Sequence, residues 1–130
     1  MAKREPAARP TKGELAILHV LWQRGPSTVR EVHESLRRAD PVGYTTILKL
    51  LQIMTEKGLV TRDVSARSHV YAAATSETTT QGDMVSDLVE RVFGGSRVGL
   101  VLHALSTTPT TAPELEQIRK LLDQKKGGGA

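Results

Sequence analysis

The 130-residue chain contains no cysteine, which excludes a disulfide framework, a thiolate metal site and a cysteine nucleophile. Aromatic residues are scarce, with Trp22, Tyr44, Tyr71 and Phe93 the only four. A groove that stacks successive bases is therefore not expected, and the core must be aliphatic. No run approaches the roughly 20 apolar residues of a membrane span. Residues 1–10 are basic and rich in Pro and Ala with no apolar segment behind them, unlike a secretory leader. A cytoplasmic protein with no membrane insertion is expected.

Recognisable catalytic patterns are missing as well. His19, His33, His69 and His103 lie far apart, with no His-x-His pair and no HExxH helix. No G-x-S-x-G, P-loop or G-x-G-x-x-G occurs, and the carboxylates are scattered along polar helix faces. No general acid and base pair can be nominated. The expectation is a protein that is not an enzyme and holds no cofactor or metal.

What is present is positive charge in one place. Lys and Arg number 18 against 14 Asp and Glu, for a net charge of +4. Before residue 76 there are 12 basic and 7 acidic residues, and after it 6 and 7. A module that touches phosphate should be basic, whereas one that pairs with itself need not be.

The hydrophobic pattern divides the chain the same way. Residues 1–10 read as a flexible basic arm. Thr11 and Glu14 have the spacing of a capping box, and Leu15, Leu18, Val20, Leu21 and Trp22 follow with helical recurrence until Gly25-Pro26. Thr28 and Glu31 repeat the box, with Val29, Val32 and Leu36 on one face of a second helix that should end near Arg38. A third helix spans residues 44–57, with Ile47, Leu50, Leu51 and Met54 as its apolar stripe and Gly58 as its stop. The period then changes, and residues 59–64 and 68–73 read as two strands around Ser65-Ala66-Arg67. Three helices plus a two-stranded β-hairpin wing over residues 11–75 make a winged helix-turn-helix domain.

Residues 74–80 are polar and read as a connector or helix start. Residues 76–124 form a second, all-helical module of three helices, the last from Pro113 to about Gln124, and residues 125–130 read as a disordered tail. The fold class is therefore mainly α. About 45 residues in three short helices cannot bury so many aliphatic side chains alone. Val85, Leu88, Val89, Val92, Phe93, Leu100, Val101, Leu105, Leu115, Ile118 and Leu122 are accordingly expected to form a dimer interface with a second copy.

A helix entering the major groove needs short hydrogen-bonding side chains near its N-terminus and longer polar or basic ones a turn or two on. Tyr44, Thr45, Thr46, Lys49 and Gln52 meet that need on the polar side of the third helix. Arg67, Ser68 and His69 form a donor cluster at the hairpin tip, suited to a phosphate ridge or the adjacent minor groove. Ser27, Thr28 and Arg30 at the start of the second helix also suit a phosphate. The expected partner is double-stranded DNA. The other reading is a winged-helix protein-interaction module, which an apolar exposed face on the third helix would favour; Leu48 and Ile53 are its only hints.

The runs Thr11-Lys-Gly-Glu-Leu-Ala-Ile-Leu-His-Val-Leu-Trp22, Thr28-Val-Arg-Glu-Val-His33, Tyr44-Thr-Thr-Ile-Leu48, Glu56-Lys-Gly-Leu-Val60 and Arg67-Ser-His-Val-Tyr71 together resemble the penicillinase-repressor (BlaI/MecI) family. The resemblance covers residues 11–124. It implies a homodimeric winged-helix repressor of inverted-repeat operators, with interlocked C-terminal helices. Thr45, Thr46 and Lys49 then fall on the recognition helix and Arg67 to His69 on the wing. Many relatives carry arginine at the position of Ile53, so the resemblance implies that one polar DNA contact is missing here or replaced by an apolar one, with a different operator sequence as the expectation. In antibiotic-responsive members a membrane-bound sensor metalloprotease cuts the dimerisation helices at a site aligned near His103-Ala104, but the flanking residues are not reproduced here. The cysteine-dependent copper mode is excluded.

Overall fold

The computed structural model describes residues 9–37 and 42–127. Most of the expected arm, the expected end of the second helix near Arg38 and residues 128–130 of the expected tail lie outside them.

Three helices open the chain: α1 (Lys12–Arg24), α2 (Val29–Leu36) and α3 (Tyr44–Lys57). The two predicted capping boxes form in full. Thr11 Oγ1 accepts the Glu14 N–H at 3.2 Å while Glu14 Oε1 accepts the Thr11 N–H at 2.8 Å, and Thr28 and Glu31 do the same for α2. Reciprocal bonds satisfy N–H groups that a helix start otherwise leaves open. α2 runs to Leu36, with Arg37 as its C-cap. At the far end of α3, Gly58 adopts φ +80°, and its N–H reaches back to the Met54 and Thr55 carbonyls. That left-handed turn favours glycine and directs the chain into the sheet.

The wing is a hairpin of β2 (Val60–Asp63) and β3 (Val70–Ala73), with Asp63 starting the turn. Its carboxylate accepts both the hydroxyl and the N–H of Ser65, which hold its pKa below the ordinary value. The hairpin gains a third strand that the sequence reading lacked. β1 (Ser27–Thr28) pairs antiparallel with β3, giving the order β1-β3-β2 with Ser27 opposite Tyr71 and Thr28 opposite Val70.

Ile17, Leu18 and Leu21 of α1, Val32 of α2, Ile47, Leu51 and Met54 of α3, and Val60 and Tyr71 of the sheet make one buried cluster. It is aliphatic, as the scarcity of aromatics requires, with Tyr71 its one fully buried ring. Glu14 is buried among these residues at 2% exposure. Its Oε1 accepts the Lys57 ammonium at 2.6 Å, joining the start of α1 to the end of α3. Burial pushes this carboxyl's pKa up, but the Lys57 hydrogen bond and the Thr11 N–H outweigh it and leave the pKa below the ordinary value.

α4 (Glu77–Val92), α5 (Arg97–Thr107) and α6 (Ala112–Gly127) complete the chain. The chain forms two compact units, one through Val85 and one from Ser86. The start of α4 belongs to the first unit and is tied within it. The Trp22 indole N–H donates to the Thr75 carbonyl at 2.9 Å, His19 Nδ1 lies 3.7 Å from the Glu77 carboxylate, and Thr80 is buried with its hydroxyl 2.9 Å from that of Thr75. In the second unit Gly94 and Gly95 break the helix, Ser96 caps α5, and Thr111 and Glu114 form a third capping box for α6. α6 continues to Gly127, so residues 125–127 are helical instead of belonging to a disordered tail. Lys125 and Lys126 stand in that last turn, where positive charge favours the free carbonyls.

Glu14→Gln should lower unfolding stability by about 2 kcal/mol at neutral pH, the scale of a hydrogen bond to a charged group. Because the folded state lowers this carboxyl's pKa, its stabilisation is complete above the ordinary value of 4.5 and is lost as the pH falls toward the folded value. Urea titrations at pH 7 and below pH 4 should therefore find the gap between parent and variant narrowing in acid.

Candidate nucleic-acid interface

The pairing of β1 with β3 brings two distant pieces of chain to one place. Thr28 leads directly into α2, and Val70, its partner in register, follows His69 at the wing tip. α3 begins on the same side. The result is an open cleft of about 570 Å³ lined by Thr28, Val29 and Arg30 of the α2 start, Tyr44 and Leu48 of α3, and Arg67, Ser68, His69 and Tyr71 of the wing. Six of the ten residues singled out for a nucleic-acid partner line it. The other four, Thr45, Thr46, Lys49 and Gln52, are exposed along α3 outside the cleft.

The exposed surface of α3 thus carries two rows. Tyr44 and Leu48, four residues apart, turn toward the wing. Thr45, Lys49 and Gln52 form a neighbouring row that is free to meet a separate surface. Among the described residues these three side chains, together with Thr46, have no hydrogen-bond or ion-pair partner. Arg30, Lys49 and Arg67 likewise lack a carboxylate partner there. Elsewhere in this unit Arg24 pairs with Glu31 at 3.0 Å and Lys57 with Glu14. Arg30 and Arg67 therefore leave positive charge uncompensated at the cleft, and Lys49 beside it.

The two helix starts at the cleft differ. At α2 the Thr28 hydroxyl accepts the Glu31 N–H, and the Glu31 carboxylate accepts the Thr28 N–H, which with Arg24 holds its pKa below the ordinary value. Ser27 is fully buried, donating to the Gly25 carbonyl and accepting from Arg24. Against expectation, the buried Ser27 hydroxyl serves the fold and is not presented to a phosphate. Thr28 lines the cleft with Arg30, and its hydroxyl, which accepts the Glu31 N–H, keeps a hydrogen to donate. At α3 the cap is Gly43, which offers no side-chain acceptor, and the first N–H groups, the positive end of the helix dipole, have no side-chain cap.

Sequence reasoning missed the apolar floor made by Val29, Leu48 and Tyr71. Leu48 was legible from its spacing to Tyr44; Tyr71 was not, because only strand pairing brings it there. Arg62 also escaped notice, and it stands opposite Tyr71 in β2 and so shares that face of the sheet.

The expected interface residues of the C-terminal helices are largely uncovered. Val92 is 65% exposed, and Val85, at the end of the first unit, and Leu88, Val101, Leu115 and Leu122 of the second are exposed too. Phe93, Leu100, Leu105 and Ile118 are half-buried, and only Val89 is buried. Val98, Leu102 and Leu121 add exposed apolar surface that had not been assigned to the interface. No helix among the described residues is long and apolar enough to cross a membrane.

Three helices, a hairpin wing and an unneutralised basic cleft between them define a winged helix-turn-helix protein of the regulator class. The penicillinase repressor family profile matches residues 10–124. The transcriptional regulator BlaI of Mycobacterium tuberculosis is 32% identical over 117 residues, covering 88% of this chain and 83% of that protein. The methicillin resistance regulatory protein MecI of Staphylococcus aureus is 18% identical over 115 residues, covering 88% and 94%. A solved structure of the Bacillus licheniformis BlaI monomeric form in complex with the blaP half-operator aligns with TM-score 0.49 and 22% identity, over 55% of this chain and 88% of that one. The chain belongs to the penicillinase repressor family, and with it to the transcriptional regulators rather than the enzymes.

An added Cβ at Gly43 would meet nothing within 4 Å, and its φ of −70° and ψ of 155° suit an N-cap. Gly43→Asp should therefore cap α3 and raise stability by roughly a few tenths of a kcal/mol, measured by thermal or urea unfolding.

Proposed function

We propose that the protein is a homodimeric repressor that binds double-stranded DNA at a dyad operator. The observation that carries this is the convergence of Arg30, Tyr44 and the Arg67–His69 tip on one cleft, beside an unpaired Thr45–Lys49–Gln52 row. The row on α3 faces base edges in the major groove. Threonine methyls can touch thymine methyls, and Lys49 and Gln52 reach base acceptors. The wing tip, Arg30 and the uncapped start of α3 take the flanking phosphates.

A second copy covers the exposed aliphatic surface of the C-terminal helices. Each winged helix reads only a few base pairs, so linking two on one duplex supplies the remaining affinity and requires an operator with two half-sites. Induction by a membrane-bound sensor metalloprotease belongs to the same reading. A cut near His103-Ala104 would divide α5 at mid-length and detach α6 from the shared apolar surface. A protein-binding winged helix would need a continuous apolar face on α3, but Leu48 turns into the cleft and Ile53 stands beside Gln52 on the polar side.

A duplex selected by the purified protein from a random library provides the probe. Lys49→Ala should weaken binding about tenfold and relax base preference, whereas Arg67→Ala should weaken it uniformly and reduce the salt slope by about one. Gly43→Asp, although stabilising, should weaken binding by placing a carboxylate beside a phosphate. Parental affinity in both alanine variants would overturn the reading. Leu88→Asp, at a position exposed in the single chain, should yield a folded monomer in sedimentation at micromolar concentration; an unchanged dimer would remove that helix from the interface.

A further inference from the structure

Tyr44 is the first residue of α3 and 48% exposed, so its ring is not fixed by burial. Among the described residues its hydroxyl has no hydrogen-bond partner, and the Gly43 cap places no side chain beside it. A half-exposed tyrosine samples several staggered wells at χ1, and freezing it against a ligand costs affinity. One neighbour restrains it. The His33 imidazole, in the last turn of α2, meets the Tyr44 ring edge to face, with centroids 6.0 Å apart and planes at 79°. That geometry is favourable for aromatic pairs. His33 does not line the cleft, whereas Tyr44 does, beside Arg30 and Arg67.

We propose that His33 is a positioning residue for DNA recognition: its edge-to-face contact holds the Tyr44 ring over the cleft, with the phenol hydroxyl directed at a phosphate of the bound duplex. The inference rests on the duplex-binding reading above and extends it to a residue that touches no nucleic acid. His33 also joins the two helices of the helix-turn-helix at the ends that follow one another in the chain. α2 contributes its last turn and α3 its first, so the contact fixes the start of the recognition helix relative to α2.

The test is a double-mutant cycle on the selected duplex, with Lys49→Ala as the reference for the reading itself. His33→Ala should weaken binding roughly two- to tenfold, the range of an aromatic pair, with the dimer and the melting temperature little changed. His33→Phe, which keeps a ring at the same place, should restore affinity to within about twofold. In a Tyr44→Ala background, His33→Ala should have no further effect. The Tyr44 ring resonances of the free protein should move in His33→Ala while those of Tyr71 stay. If His33→Ala fails to fold, His33→Gln takes its place in the cycle. Full additivity of the two substitutions, or equal loss in His33→Ala and His33→Phe, overturns the inference while a Lys49→Ala loss leaves the duplex reading standing. No loss in Lys49→Ala or Arg67→Ala overturns both.

Discussion

The short pairing of Ser27-Thr28 with Val70-Tyr71 is the constraint on which the candidate interface depends. β3 is the central strand, so the start of α2 and the wing are hydrogen-bonded to the same four residues. Tyr71 anchors that strand in the core while its ring helps to floor the cleft. Arg30 and Arg67, 37 positions apart in sequence, are brought to one surface by this ladder, Arg30 on α2 and Arg67 on the turn between β2 and β3.

Charge follows the same economy. The bridges that stabilise the first unit, Glu14 with Lys57 and Glu31 with Arg24, are formed away from the exposed row of α3. Glu14 carries the heavier structural load because it is buried, capping α1 and tethering α3 at once. The outward-facing cations contribute little to folding, since exposed charges are well solvated. They remain available for phosphate, whose neutralisation releases counterions and drives association. Stability and recognition therefore rest on different residues of one small domain.

The two units solve the burial problem differently. The first closes an aliphatic core around Ile17, Leu51 and Tyr71 within a single chain. The second leaves most of its aliphatic side chains outside, as a short helical segment must when it has too little material to cover them. Its local signals are nonetheless strong: Ser96 caps α5, and the Thr111-Glu114 box starts α6. A Cβ at Gly99 would lie 3.0 Å from the Ser96 hydroxyl, so the cap would have to give by a few tenths of an ångström to admit one. Helices this well delimited, with apolar faces unmet in their own chain, are suited to mutual burial.

Local rules account for much of what was legible in advance. Thr-x-x-Glu spacing announced the first two helix starts, Gly58 the end of α3, and aliphatic periodicity most of the core. The exposure of Thr45, Lys49 and Gln52 follows from the same period, since residues opposite a buried stripe must face outward. Interactions between distant residues were another matter. A two-residue strand leaves no periodic trace, so neither β1 nor its coupling of α2 to the wing could be read. Nor could the sequence tell that the Ser27 hydroxyl is used internally, that Lys57 closes onto buried Glu14, or that His33 meets Tyr44. The sequence alone determined the helices, the hairpin and their order, because these depend on residues a few positions apart. Only the tertiary structure decided which polar groups are consumed by the fold and which are left to meet a partner, because that depends on residues far apart in the chain and adjacent in space.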